Sequence, residues 1–372
     1  MKVALVNKFY PPTIGGIEYH VRLLAETLAK SDEIESIYII VANDRNNWQY
    51  EQSSNKIFIT RVPNWRTIAS TPIAPALISY LHKVDADIFH FHFPYPFGDI
   101  AWLLSGMKKP FVITYHSDIV RQRFLNQVYA PFRNSFFTKA DKILATSPCL
   151  INSSKVLQKF RDKTIAVPLG IDPSRFLTSK AREAGIILRK RYNDKPIVLF
   201  VGRLVYYKGV EILIEAFKGI DANLIMVGKG PLREHLMSMV KTYKLQNNVY
   251  FFDEVDDNTL TAYFHACDIF VLPSVATTEA YGLVQLEAQA CAKPVISTNL
   301  PTGVPYVNKH MVSGIIVEPG SILQLQSAIL TLINDKKLRL TLGENGKKRM
   351  MQNFTNEIMT NKIINIYKEV LK

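Results

Sequence analysis

Residues Pro196-Ile197-Val198-Leu199-Phe200-Val201-Gly202-Arg203-Leu204 pass from an unbroken apolar run into a glycine turn, and Gly209–Lys218 then continues with helical periodicity. A short strand that is apolar at every position is buried on both faces, which is the condition of a parallel sheet covered by helices. The same unit recurs downstream. Asn223–Val227 precedes Pro231–Tyr243, Val249–Phe252 precedes Asn258–Ala266, and Asp268–Leu272 precedes Gly282–Ala292, with Pro294–Ser297 and Gly314–Val317 closing the series. Upstream, strand-like runs occupy Lys2–Val6, Ser36–Val41, Ile57–Val62, Asp87–Phe91, Phe111–Tyr115, Lys142–Ala145 and Thr164–Val167. The clearest helix between them is Ile17–Lys30, with Val21, Leu24, Ala25 and Leu28 on one face. Two series of alternating strands and helices predict an α/β chain of two doubly wound, Rossmann-like domains. The expected domains are residues 1–175 and 185–352, joined through the mixed polar stretch Gly170–Asp194, with a last helix over Phe354–Leu371.

Composition narrows the function classes. A chain of 372 residues, 48% apolar, holds two cores that need neither disulfide nor metal to be stable. No apolar run reaches the roughly 18 residues of a membrane span, and Met1–Asn7 turns polar too early for a signal peptide. Cys149, Cys267 and Cys291 are far apart, which excludes a zinc ribbon or a disulfide framework and fits the reducing cytoplasm. The formal net charge of +13 calls for an anionic partner. Without a Lys/Arg run or helix-turn-helix spacing, nucleic acid is not expected to be that partner.

Several turns carry residues suited to a phosphorylated, hydroxylated small molecule. Gly202-Arg203 and Lys208-Gly209 follow a strand at its carboxyl end, where open α/β sheets bind ligands. An arginine fork and a lysine point charge at that place can hold one diphosphate, although solvated surface cations give the same pattern. Gly15-Gly16 stands between a strand and a helix start, a geometry that admits an anion or simply makes a tight turn. Glu279 and Glu287, flanking Gly282 and Leu283, repel phosphate and instead accept hydrogen bonds from hydroxyls. Gly228-Lys229-Gly230 resembles the start of a dinucleotide fingerprint, but Arg233 replaces its third glycine, so a nicotinamide enzyme is only a second choice. Of the strand histidines, His90 reads as a core residue, whereas His116, in Tyr115-His116-Ser117-Asp118, sits at a strand end. Asp85-Ala86-Asp87 has the form of a metal-chelating acidic pair but precedes its strand, at the wrong end of the sheet, so no metal is expected.

Taken in order, Gly15-Gly16-Ile17-Glu18, Val201-Gly202-Arg203-Leu204 with Lys208-Gly209, Gly228–Leu232 and the Glu-x7-Glu motif from Glu279 to Glu287 resemble the retaining GT-B-fold glycosyltransferases of family four. The resemblance covers nearly the whole chain. It implies two domains facing a central cleft, the first binding the acceptor and the second the nucleotide-sugar, with helix 354–372 packing back on the first. It further implies that Arg203 and Lys208 hold the donor diphosphate, Glu287 the ribose, and Glu279 the transferred sugar. His116 would lie near that sugar, and Gly16, Gly202, Gly228, Gly282 and Leu283 would complete the donor-binding set. No cofactor or metal is implied beyond the donor itself. Leu300-Pro301-Thr302-Gly303 departs from the family's Gly-Gly-x-x-Glu, so Tyr306 receives no role.

Tyr115–Gln122 is similar to the mannosyl- and rhamnosyltransferases of bacterial surface-polysaccharide assembly. The expectation is therefore a hexosyltransferase using GDP-mannose, with a lipid-linked glycan acceptor at the inner membrane face. A UDP-sugar donor, a GT-B-like epimerase or hydrolase, and a non-catalytic sugar- or nucleotide-binding protein are the alternatives. The run Arg121–Arg133 and Phe136–Lys139 interleaves cations with large apolar residues and predicts peripheral docking on anionic lipid, while Pro131 speaks against one continuous helix.

Overall fold

The computed structural model of the chain describes residues 1–13, 15–119, 123–193 and 195–372, without the side chains of residues 123–126. The chain divides into two units: Met1–Leu169 with Asn356–Lys372, and Gly170–Thr355. This division falls before the expected boundary at residue 175. The stretch read from sequence as a connection belongs to the second unit, where Ser179–Lys190 forms a helix with Thr178 as its side-chain cap. Only Gly185 and Leu188 of this helix are buried, whereas Ile186 and Ile187 are exposed, so its apolar residues do not mark its packed face.

The first unit holds β1 (Lys2–Val6), β2 (Ser36–Ala42), β3 (Gln49–Gln52), β4 (Ile57–Val62), β5 (Arg66–Ile68), β6 (Thr71–Ile73), β7 (Ile88–Phe93), β8 (Phe111–Tyr115), β9 (Lys142–Ala145) and β10 (Thr164–Ala166). Its main sheet has the order β10-β9-β8-β7-β1-β2-β4-β3 and is parallel except for β3, while β5 and β6 pair as a separate hairpin. Strand order reverses between β1 and β7, so the carboxyl ends of these two strands mark the switch point. A core of aromatic residues, including Phe89, Phe91, Phe93, Trp102, Phe111, Phe136 and Phe137, fills one side of the sheet. The helix Asn356–Val370 belongs to this unit by its bonds: Tyr367 meets His90 at 2.5 Å, Asn356 donates to Thr27 at 3.0 Å, and Lys142 pairs with Glu369 at 2.7 Å.

The second unit holds β11 (Ile197–Val201), β12 (Asn223–Val227), β13 (Val249–Phe252), β14 (Ile269–Leu272), β15 (Val295–Thr298) and β16 (Gly314–Val317), all parallel, in the order β13-β12-β11-β14-β15-β16. Its switch point lies between β11 and β14. Helices Ile322–Asn334 and Lys336–Asn353 complete this unit.

The helix Arg123–Lys139 is continuous through Pro131, against the sequence expectation of a break. Phe136 and Phe137 are fully buried and Arg133 is buried, so these residues serve the core and not a surface. Val128, Phe132 and Lys139 are exposed. Arg121 and Gln122 lie outside the described residues, and so does the side chain of Arg123. No helix among the described residues is long and apolar enough to cross a membrane.

Candidate active site

In the second unit the residues singled out by the sequence gather at the carboxyl ends of β11 and β14, on either side of the switch point. Two glycines draw the turns together. Gly209, at φ +67°, brings the turn after β11 against β14, where a Cβ would stand 2.0 Å from the Pro273 carbonyl oxygen. Gly228, at φ +143°, brings the turn after β12 against Gly202, whose carbonyl oxygen would lie 2.0 Å from a Cβ. Main-chain bonds from Gly202 to Val227 (2.9 Å) and from Leu204 to Lys229 (2.8 Å) lock these turns.

This packing positions the charges. Lys208 ends a short 3-10 turn and its Nζ meets Glu279 Oε2 at 2.5 Å, with Ser274 donating to the same oxygen at 3.0 Å. Both side chains of the ion pair are largely buried, with 13% and 9% of their surface exposed. Arg203 is exposed and makes no ion pair among the described residues. Glu287 lies in the first turn of the helix Val284–Ala290, which begins two residues beyond Gly282, and its carboxylate accepts from Arg175 at 2.9 Å. Burial pushes the Glu287 carboxyl up from its ordinary value, with Arg175 opposing that shift. Arg175 also meets Asp257 at 3.1 Å. Leu283 immediately precedes this helix, next to Gly282 at φ +72°.

Arg175, Ser274 and Asp257 were not singled out in the sequence. Arg175 falls in the stretch read as a connection, and Ser274 and Asp257 carry no motif. Arg233, at the fingerprint's third glycine position, is ion-paired with Asp253 after β13.

In the first unit, Gly16 opens the helix Gly16–Leu28 and has free space at its Cβ position, whereas Glu18 folds its carboxylate back over Gly15. His116, directly after β8, is buried and its Nε2 meets His92 Nδ1 at 3.2 Å. His20 packs edge-on against both rings, at centroid distances of 5.4 and 5.1 Å. Neither nitrogen of His20 has a hydrogen-bond partner among the described residues. Burial pulls all three imidazoles below their ordinary value, His20 to about 4, which keeps them neutral near pH 7. One nitrogen from each lies within 4.8 Å of the others. Such a set offers nitrogen donors suited to a transition metal, and no carboxylate of the kind that holds Mg²⁺ or Mn²⁺. His90 is the satisfied core residue the sequence indicated, bonded to Tyr367 and to Thr114 at 2.7 Å. Asp85 and Asp87 are both engaged by Lys2 at the amino ends of their strands, 2.7 and 2.8 Å away.

Residues 14–175 match the family model described as Glycosyltransferase Family 4, and residues 188–349 match the one described as Glycosyl transferases group 1. The chain is 31% identical to O-antigen chain mannosyltransferase C of Escherichia coli, over 100% of this chain and 99% of that protein. The chain is a family-four glycosyltransferase. A second relative of this glycosyltransferase is D-rhamnosyltransferase WbpZ of Pseudomonas aeruginosa, 32% identical over 95% of the chain and 92% of the relative. Among solved structures, sucrose-phosphate synthase from Thermosynechococcus elongatus superimposes with a TM-score of 0.82 at 24% identity, covering 99% and 98% of the two chains. Anabaena HepE, in complex with UDP and glucose, gives 0.80 at 20% identity over 99% of each chain. These likenesses establish that the glycosyltransferase has the GT-B fold.

Proposed function

We propose that this glycosyltransferase moves a hexose from a nucleotide-sugar, with GDP-mannose the favoured donor, onto a lipid-linked glycan acceptor during assembly of a bacterial surface polysaccharide of the O-antigen type. The observation that carries the donor half is the charge arrangement at the β11–β14 switch point: an exposed arginine and a lysine paired to the buried Glu279, with the partly buried Glu287 on the helix that follows. The two nearly full-length relatives, named as a mannosyltransferase and a rhamnosyltransferase of bacterial origin, support the sugar class.

The chemistry follows from the residues. Arg203 takes the diphosphate as a fork, and Lys208 shares its protons between that diphosphate and Glu279. As the sugar–phosphate bond lengthens, negative charge grows on the leaving oxygen, and one preorganised cation there lowers the barrier by about 3 kcal/mol. Glu279, held by Lys208 and Ser274, orients hydroxyls of the transferred sugar, and Glu287 those of the ribose. Neither carboxylate is assigned as a covalent nucleophile. The proposal is same-face attack, with the departing phosphate accepting the acceptor's proton and the anomeric configuration retained.

A thermal-shift series with GDP, UDP, GDP-mannose and UDP-glucose tests the donor. A ligand at a hundred times its Kd stabilises by about 2.7 kcal/mol, so the expected result is a clear rise with GDP compounds and little with UDP. Nucleotide release that requires a glycan acceptor supports transfer. Release without acceptor, or epimer formation, overturns it in favour of a hydrolase or an epimerase.

A further inference from the structure

Beside the helix Arg123–Lys139, the first unit contains a cavity of about 260 Å³ lined by Ile68, Ile73, Phe97, Ile100, Val128 and Phe132. Tyr129 also borders it, but its hydroxyl is committed to the buried Asp99. The cavity opens to solvent, so a hydrocarbon entering it would displace water from an apolar lining. The rim is apolar too. Ile68, Val128 and Phe132 are 49%, 59% and 46% exposed, and Trp65, at the foot of the hairpin, is 70% exposed. Ile68, Val128 and Phe132 border one cavity instead of being scattered singly over the surface.

The β5–β6 hairpin supplies a polar counterpart. Its register sets Arg66 opposite Ile73 and Ile68 opposite Thr71. Directly opposed residues point to the same face. Ile68, Thr71 and Ile73 line the cavity, so the exposed Arg66 stands on that same face at the hairpin's open end. At the other end, Ala69 and Ser70 close the turn at φ 49° and 63°. Positive φ at both central residues is what a two-residue hairpin turn matching the strands' twist requires, so the turn fixes the hairpin's register. An open apolar cavity with the Arg66 guanidinium on the same hairpin face fits an amphiphile: a hydrocarbon chain ending in an anionic group.

We propose that this cavity holds the hydrocarbon chain of the lipid-linked acceptor, with Arg66 beside the phosphate that joins chain to glycan. The assignment rests on the lipid-acceptor reading above and adds where on the protein the lipid is recognised.

The test uses one acceptor glycan joined through phosphate to alkyl chains of increasing length, assayed below their micellar concentrations. Each methylene the cavity buries lowers KM about fourfold, so wild-type KM should fall steeply with chain length while kcat stays constant. Ile68→Gln and Val128→Gln, at exposed positions that the fold tolerates, should each flatten that dependence and leave KM for the donor unchanged. Dodecyl phosphate alone should bind the wild type and bind at least tenfold more weakly to Arg66→Gln, whereas dodecanol should not distinguish them. If wild-type KM falls with chain length but both cavity variants keep the full dependence, the cavity assignment is overturned and the lipid acceptor stands. If wild-type KM ignores the chain altogether, both fall together.

Discussion

At the scale of single residues, Arg203 and Lys208 have the same assigned partner but different structural obligations. Arg203 is exposed and unpaired among the described residues, so Arg203→Ala should lower kcat about a hundredfold and leave Tm within a degree. Lys208 also neutralises a buried carboxylate at 2.5 Å. Removing one member of a buried pair strands the other, at a cost of about 3 kcal/mol, so Lys208→Ala should lose both turnover and stability. The double variant Lys208→Met with Glu279→Gln should recover most of the stability in urea unfolding but none of the turnover. Wild-type turnover in Arg203→Ala would return that residue to the class of solvated surface cations. Glu287→Gln should act on binding, because losing hydrogen bonds to a charged group costs about 1.5–3 kcal/mol. It should raise the donor Kd roughly ten- to a hundredfold in calorimetry, and an unchanged Kd counts against the ribose contact.

At the scale of elements, the first unit carries a proton-sensitive seam where β7, the end of β8 and the helix Gly16–Leu28 meet. His20, His90, His92 and His116 are buried there, and burial holds each below the ordinary value of 6.5, His20 to about 4 and His90 to about 3. The unfolded chain therefore takes up protons that the folded one refuses. The stability this represents is complete above about pH 6.5 and is lost as pH falls from there towards 4, by up to about 1.4 kcal/mol per pH unit for each histidine. Asp99, which burial pushes up to about 8, acts in the opposite sense: protonated when folded, it costs stability as pH rises. Urea unfolding at pH 7.5, 6.0 and 5.0 should show four histidines outweighing one aspartate, and a flat profile sinks the idea. The histidine grouping was only partly legible in the sequence. His116 stood out at a strand end, but its contact with His20 and His92 depends on the β1–β7 switch, which no local pattern records. The same contrast holds for the elements. Every strand of both main sheets that is buried was readable as an apolar run, whereas β3 (Gln-Tyr-Glu-Gln) and the β5–β6 hairpin are surface strands without such a run. Lys208 and Glu279 were legible through their motifs. Arg175 was not, because an arginine in a polar stretch carries no sign of the glutamate 112 positions away that it binds.

At the scale of the whole molecule, charge and metal use can be tested together. With two cations assigned to the diphosphate and Asp85 and Asp87 tied to Lys2, turnover should survive EDTA. Loss restored by Mg²⁺ or Mn²⁺ overturns this, while loss restored only by Zn²⁺ directs attention to His20, His92 and His116. A net charge of +13 and the apolar rim around Ile68 and Phe132 lead us to expect sedimentation with anionic but not zwitterionic vesicles, weakening as salt is raised. Equal binding to both kinds of vesicle would remove the electrostatic part of that picture. Lys139→Gln should weaken such binding at no cost in stability, whereas Arg133→Gln, at a buried arginine, should destabilise the fold. The discontinuous first unit has a consequence for biogenesis. Its closing helix begins at Asn356, so on the ribosome the early sheet waits for residues 170–355 to be made, roughly 10–40 s at about 5–20 residues per second. The second unit, contiguous in sequence, can mature first. Until Tyr367 arrives to meet His90, the amino-terminal half of the nascent chain is a natural client for chaperones, and a premature stop within the last seventeen residues leaves it permanently in that condition.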